Sequence, residues 1–394
     1  MLREVQSDVV RVGLAGCGVV GGALVRLLDE SRDSIESRYG IRFDVSSVLV
    51  RDPLLERDIP LPRSIFTGDR NSFLSKETDI VVEAIGGCDA ASDIARRSLS
   101  AGRRFVTANK ELIAREGAEL ASLARTKSTV LDFGAAVGGS APVITLLRDL
   151  LGTSTPRSVR GILNGTSNFI LSSIERGASF DEAVAGARTR GLAEADCSRD
   201  LNGADAAAKL AIIVWLSFGV QPSLVNAPTA GITPLTPQLI EAANILGGRV
   251  RLIGECIATG NHGVSASVEP VVFPRHHAFA QTEREDNRVE VDLGWASPVS
   301  VSGPGAGGVP TATSILSDLL NRSPRVIGRT GIASGFQCIE DKGAYRWLMA
   351  TADSWNVFTA TRRELRQRLG KSSSVPDDVA VARLELPFES EVIS

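Results

Sequence analysis

The sequence predicts an α/β protein: a doubly wound parallel sheet, followed by a second domain of the α+β kind. Three observations predict it. Strand-like apolar runs alternate with helix-like segments through residues 9–139, the pattern of successive βαβ units. The first run opens into a glycine-rich turn, GCGVVG (16–21), and then into a helix. After residue 140 the alternation gives way to longer helical stretches and then to strands such as VSASVEPVVF (264–273) and NRVEVDLG (287–294).

In chain order, VVRVGLA (9–15) is a valine-rich strand and ALVRLLDESRDSI after the turn has helical spacing. Gly16, Gly18 and Gly21 fill the three positions of G-x-G-x-x-G, where glycine allows a tight turn, close approach of a pyrophosphate and packing of helix on strand. The sheet is thereby of Rossmann type. A lone G-x-G-x-x-G is weak evidence, and its strand and helix flanks strengthen it. FDVSSVLV (43–50) is a second strand ending in Arg51-Asp52. A guanidinium there suits the 2′-phosphate of NADP, Asp52 leaves room for NAD, and a plain surface arginine is the alternative. DIVVEAIGG (79–87) reads as a buried strand running into a Gly-Gly turn, ASDIARRSLSAG as a helix, and RRFVTANK (103–110) as a strand ending at Lys110. SVRGILNG (158–165) follows the change of pattern. Asn164-Gly165 marks a turn, with Thr166 or Ser167 expected to cap the next helix. GPGAGG (303–308) opens a helix that can return the chain to the first domain. AYRWLMATA (344–352) is a strand, TATRRELRQRLG a basic helix, KSSSVPDD (371–378) a linker and VAVARLEL (379–386) a strand.

Composition narrows the function classes. The 394 residues are 43% hydrophobic and 23% charged, as in a folded body of enzyme size. A net charge of −3 gives no footprint for nucleic acid or an anionic membrane. Five scattered cysteines without a CxxC pair point to a reduced, cytoplasmic protein. The longest apolar run, LAIIVWLSFGV (210–220), falls short of the roughly 20 residues a membrane helix needs. With three histidines, zinc sites and His-based triads have little material, so chemistry must rest on Lys, Asp, Glu or a cofactor.

The densest polar cluster is GLAEADCSRDLNGADAAAKLAII (191–213). Asp205 and Lys209 lie four apart on one helix face. An exposed ion pair is the ordinary reading of such spacing, but this helix runs on into an apolar segment, where an unmatched charge is costly.

At these residues the chain resembles homoserine dehydrogenase. The matching pieces are VGLAGCGVVGGALVRLL (12–28), VVEAIGG (81–87), VTANKELIA (106–114), AAVGGSAPVI (135–144), GILNGTSNFIL (161–171), the 191–213 segment and GPGAGGVPTAT (303–313), in the family's order. The resemblance implies interconversion of L-homoserine and L-aspartate 4-semialdehyde by hydride exchange with NADP or NAD. It assigns Lys209 as the catalytic lysine, Lys110 as a second active-site lysine, and Glu194, Asp205 and Asp200 as substrate-binding acids. Gly16, Gly18, Val20, Gly21, Gly86, Lys110, Gly191 and Gly305 correspond to cofactor positions, beside Arg51 from its own placement. Relatives carry an acid before the AxVGG stretch, where carbonyls hold a monovalent cation such as Na+. Here that residue is Gly134, leaving Val137, Gly139 and Ala141 as carbonyl donors. Cys197 stands at the family's proline.

The implied organisation is a dinucleotide-binding domain at 1–140 completed by 303–330, a catalytic and dimerisation domain at 141–302, and a C-terminal extension at 331–394 resembling at most a degenerate ACT segment. A homodimer is implied, built on the helix of 205–220 and the strands between 264 and 294, with a small-molecule substrate as the other partner. Two further readings stand beside this one: a paralogous dehydrogenase acting on a related amino-acid semialdehyde, and a catalytically silent NADP-binding regulatory protein. Intact Lys110, Glu194, Asp205 and Lys209 argue against the second of these.

Overall fold

The structure, a computed structural model, describes residues 7–151, 154–260, 262–295, 297–321, 336–369 and 379–385. The linker expected at 371–378 and the 322–330 end of the returning segment lie outside the described residues. The chain divides into one unit of Met1–Thr153, Trp215–Ser223 and Ala306–Ala333, and a second of Ser154–Val214, Leu224–Gly305 and Ser334–Ser394.

The first unit is built on six strands: β1 (Asp8–Ala15), β2 (Ile41–Leu49), β3 (Phe66–Thr67), β4 (Ile80–Glu83), β5 (Arg104–Thr107) and β6 (Leu131–Asp132). They pair in the order β3-β2-β1-β4-β5-β6, every pair parallel. That order reverses direction between β1 and β4, the crevice where open α/β sheets bind ligands. Parallel strands are covered by helices on both faces, which explains why these read as apolar runs. Val12, Leu14, Val48, Val82 and Val106 of the sheet pack with Ala23, Leu24 and Leu28 of the helix Val19–Glu30. Ala312, Ile315 and Leu319 of the helix Gly308–Leu320 join the same core. The two helices approach so closely at their starts that a Cβ on Gly308 would lie 2.7 Å from the Val19 side chain. Arg104 of β5 pairs with buried Asp132 at 2.7 Å and donates to the carbonyls of Leu319 and Asn321, so one guanidinium satisfies the end of that helix.

The sequence reading carried the strand before Lys110 too far. β5 stops at Thr107, and Lys110 is the first residue of the helix Lys110–Thr126, because the Asn109 side chain accepts the Leu112 N–H at 3.0 Å and caps it.

The second unit carries a mixed sheet of β7 (Ser158–Ile162), β8 (Gly248–Thr259), β9 (Gly263–Pro274), β10 (Asp286–Asp292), β11 (Val299–Pro304), β12 (Gln337–Cys338), β13 (Ala344–Ala350), β14 (Trp355–Thr361) and β15 (Ala380–Leu384). The order is β11-β10-β7-β8-β9-β15-β13-β14, with β12 beside β9. The strands after residue 336 therefore extend the same sheet. Charge ties them on: Arg383 of β15 pairs with Glu255 of β8 at 2.6 Å, and Arg362 pairs with Glu269 of β9 at 2.6 Å. Among the described residues, no helix is long and apolar enough to cross a membrane.

Candidate active site

The glycine turn follows β1 at the crevice. Gly16 has φ +95°, and a Cβ there would lie 2.5 Å from the Ala84 carbonyl oxygen. At Gly21 a Cβ would fall 2.0 Å from the Gly16 oxygen. The chain itself thus demands glycine at both positions. Gly18 is different: a Cβ would meet nothing within 4 Å, so its bareness leaves open space at the N-terminus of the helix Val19–Glu30, where half-buried Val20 sits in the first turn. Free N–H groups and the helix dipole at such an end suit a pyrophosphate. The cavity here has a volume of about 1020 Å³ and is lined by Gly16, Gly18, Arg51, Arg57, Arg70 and Gly86 among others. These residues fit a dinucleotide.

The guanidiniums of that cavity are not equivalent. Arg57 donates to the carbonyls of Leu55 at 2.8 Å and Asp52 at 3.0 Å, and Arg70 pairs with Asp93 at 3.0 Å. Arg51 is exposed and forms no ion pair among the described residues.

Beyond β4 the chain turns through Gly86 and Gly87, at φ +70° and +72°. Glu83, fully buried, accepts the N–H groups of Ile85 at 2.8 Å and Gly86 at 3.3 Å and the Thr107 hydroxyl at 2.5 Å. Asn109, which caps the Lys110 helix, donates to the Gly87 carbonyl at 2.5 Å. The Gly86 turn and the start of the Lys110 helix are therefore one hydrogen-bonded assembly. Burial pushes the Glu83 carboxyl up, against the downward pull of its Thr107, Ile85 and Gly86 bonds. Sequence reasoning missed Glu83, Thr107 and Asn109; the available signal was an acid closing an otherwise apolar strand.

In the second unit a polar cluster forms between the end of β7 and the helix Ala204–Phe218. Asp205 and Lys209 pair at 2.8 Å with side chains 7% and 11% exposed, which removes the surface-pair reading. Lys209 also donates to the Leu163 carbonyl at 2.8 Å. The Asn164 amide donates to Asp200 at 2.6 Å and to Asp205 at 2.8 Å. Asn164 is also the cap of the helix Gly165–Ile174, accepting the Ser167 N–H at 2.7 Å, in place of the Thr166 or Ser167 cap expected from sequence. The Thr166 hydroxyl instead donates to the Leu192 carbonyl. Glu194 and Gly191 lie exposed in the loop before Ser198, and Glu194 has no hydrogen-bond partner among the described residues. Gly305 ends up against buried Asn287, whose side-chain oxygen would be 2.2 Å from a Cβ there.

At the expected cation turn, the Gly134 N–H donates to the buried Asp318 carboxylate at 2.7 Å, and a Cβ on Gly134 would come 2.8 Å from its oxygens. Asp318 thus fills the space before AxVGG. Of the three carbonyls expected to face an ion, that of Ala141 already accepts the Val143 N–H at 2.8 Å. No group of three or more metal-ligating side chains occurs among the described residues.

The site residues thus divide: Gly16, Gly18, Val20, Gly21, Arg51, Gly86 and Lys110 belong to the first unit, and Gly191, Glu194, Asp200, Asp205, Lys209 and Gly305 to the second.

Comparison with known proteins gives this geometry a family. The family model for the homoserine dehydrogenase NAD-binding domain matches residues 16–133, and the homoserine dehydrogenase model matches residues 142–320. Homoserine dehydrogenase of Mycobacterium leprae is 37% identical over 334 residues, covering 82% of this chain and 75% of that protein. The Bacillus subtilis enzyme is 34% identical over 313 residues, 79% of this chain and 72% of that protein. The crystal structure of a homoserine dehydrogenase from Thiobacillus denitrificans superposes with a TM-score of 0.85 at 28% identity, over 96% of this chain and 99% of that one. With a Rossmann-type NAD-binding unit, a mixed-sheet unit and relatives at this identity, the chain belongs to the homoserine dehydrogenase family.

Proposed function

We propose that Lys209 moves the proton in the interconversion of L-homoserine and L-aspartate 4-semialdehyde, with NADP as the preferred dinucleotide. The observation that carries this reading is the buried Lys209–Asp205 pair beside Asp200 and Asn164. What sets this pair apart from the structural ion pairs of the sheets is its company: a second carboxylate, Asp200, and the Asn164 amide gather at the same lysine. Bound at the glycine turn, the dinucleotide supplies or accepts the hydride. For oxidation Lys209 must start as the neutral amine and take the substrate hydroxyl proton to become the ammonium; for reduction the ammonium stabilises the negative charge growing on the aldehyde oxygen and gives that proton back. Asp205 and Asp200, with Glu194 from its loop, hold the substrate ammonium. Lys110 acts as the second catalytic lysine, at the carboxyl edge of the parallel sheet where ligands of such sheets bind. Gly191 and Gly305 would hold the cofactor on its nicotinamide side, and Na+ would rest on the carbonyls of Val137, Gly139 and Ala141.

Residues 1–140, completed by 303–330, serve dinucleotide binding, 141–302 serve catalysis and dimerisation, and 331–394 form an extension, in a cytoplasmic homodimer. The test is kinetic. Lys209→Ala should lower turnover by about 10²–10⁴-fold while dinucleotide titration stays unchanged, and Asp205→Ala should chiefly raise the homoserine KM. Turnover near wild type in Lys209→Ala defeats the assignment.

A further inference from the structure

Asn164 is 5% exposed, and its amide is used at both ends. The oxygen accepts the Ser167 N–H at 2.7 Å and the Ser167 hydroxyl at 2.6 Å, fixing the amide plane from the helix it caps. The NH2 group donates to Asp200 Oδ1 at 2.6 Å and Asp205 Oδ2 at 2.8 Å, so one neutral donor holds two carboxylates that would otherwise repel. The same Asp205 oxygen takes Lys209 Nζ at 2.8 Å, and Lys209 donates onward to the carbonyl of Leu163, the neighbour of Asn164. The contacts close a ring: Leu163 carbonyl, Lys209 ammonium, Asp205 carboxylate, Asn164 amide and back through the backbone.

We infer that Asn164 is a positioning residue of the dehydrogenase reaction, setting the spacing of Asp200 and Asp205 and, through Asp205, the aim and charge balance of Lys209; this rests on the proton-transfer role assigned to Lys209. An amide is the group this place requires. It donates two hydrogens without adding charge, whereas a carboxylate would place a third negative group against Asp200 and Asp205, and a hydroxyl has a single hydrogen to give. A helix cap alone needs none of this, since Asp, Ser and Asn cap about equally well.

That difference supplies the test. Asn164→Asp and Asn164→Ser both keep a capping oxygen; the Ser variant adds no charge and should melt nearer wild type, while the Asp variant buries a carboxylate against Asp200 and Asp205 and should melt lower. The Asp variant should lose at least about tenfold in turnover, less than the roughly 10²–10⁴-fold that outright loss of a proton-transfer group costs. Both variants should also raise the homoserine KM, a change that loss of a helix cap alone would not produce. Dinucleotide affinity, measured by fluorescence titration, should hold in both. Wild-type turnover and homoserine KM in Asn164→Asp overturn the inference. Lys209→Ala run in parallel separates the two levels: if it is inactive while Asn164→Asp is normal, only the positioning role falls, and if it is fully active, both fall.

Discussion

Arg51 stands exposed at the end of β2, lining the crevice cavity, while its neighbours Arg57 and Arg70 are held by Asp52, Leu55 and Asp93. A guanidinium without an ion-pair partner among the described residues is available to a phosphate, and only NADP carries one on the 2′-oxygen of its adenosine ribose. Arg51→Ala should therefore weaken NADP by about tenfold or more, the value of one charge-assisted hydrogen bond, and leave NAD nearly unchanged; equal losses in parallel titrations reject the NADP preference. Glu83 presents the opposite situation, a carboxyl with hydrogen bonds but no water. Burial holds this carboxyl above the ordinary carboxylate range. A raised carboxyl favours the folded state in its protonated form, so that contribution is complete below the unfolded value and is lost as pH rises through the folded one. Glu83→Gln cannot ionise, so it should gain stability relative to wild type as pH rises above the ordinary carboxylate range in urea titrations. A stability difference that stays flat with pH contradicts the shift.

At the level of the element, the strand, turn and helix of residues 8–30 depend on two backbone approaches that exclude any Cβ. Gly21→Ala would force a methyl to 2.0 Å from the Gly16 oxygen, which no rotamer can relieve because the obstacle is backbone. The turn must open, and dinucleotide affinity should fall by about a hundredfold, roughly the 1–3 kcal/mol of strain such a displacement costs. Gly18→Ala meets open space, so the apo protein should melt as wild type while the ligand loses its close approach. Equal effects of the two changes on apo stability would contradict this division. The glycine spacing was legible in the sequence because the turn is local: all the atoms that clash lie within a few residues or on the adjacent β4 turn. The twelve-residue β8 was not legible. Its Arg251 and Glu255 are buried and interrupt the apolar pattern, and their partners, Glu175 and Arg383, are 76 and 128 residues away.

On the scale of the whole molecule, the helix Ala204–Phe218 and β9, expected at a dimer face, are already buried within one chain. β11, at one end of the second sheet, is the more exposed strand, with Val299 37% accessible. Light scattering should report twice the chain mass of 41.6 kDa at micromolar concentration, and the monomer mass throughout a dilution series excludes the homodimer. The sequence by itself determined the parallel sheet of the first unit, the glycine turn and the helix bearing Asp205 and Lys209. Each follows from apolar runs, from i,i+4 spacing or from contacts between near neighbours. The tertiary structure alone decided that Asn164 would bridge Asp200 and Asp205, that Asp318 would fill the space beside Gly134, and that the strands after residue 336 would complete the second sheet. Those outcomes depend on charges and amides meeting partners remote in the chain, and a side chain's need for a partner is written in the sequence while the partner's identity is not.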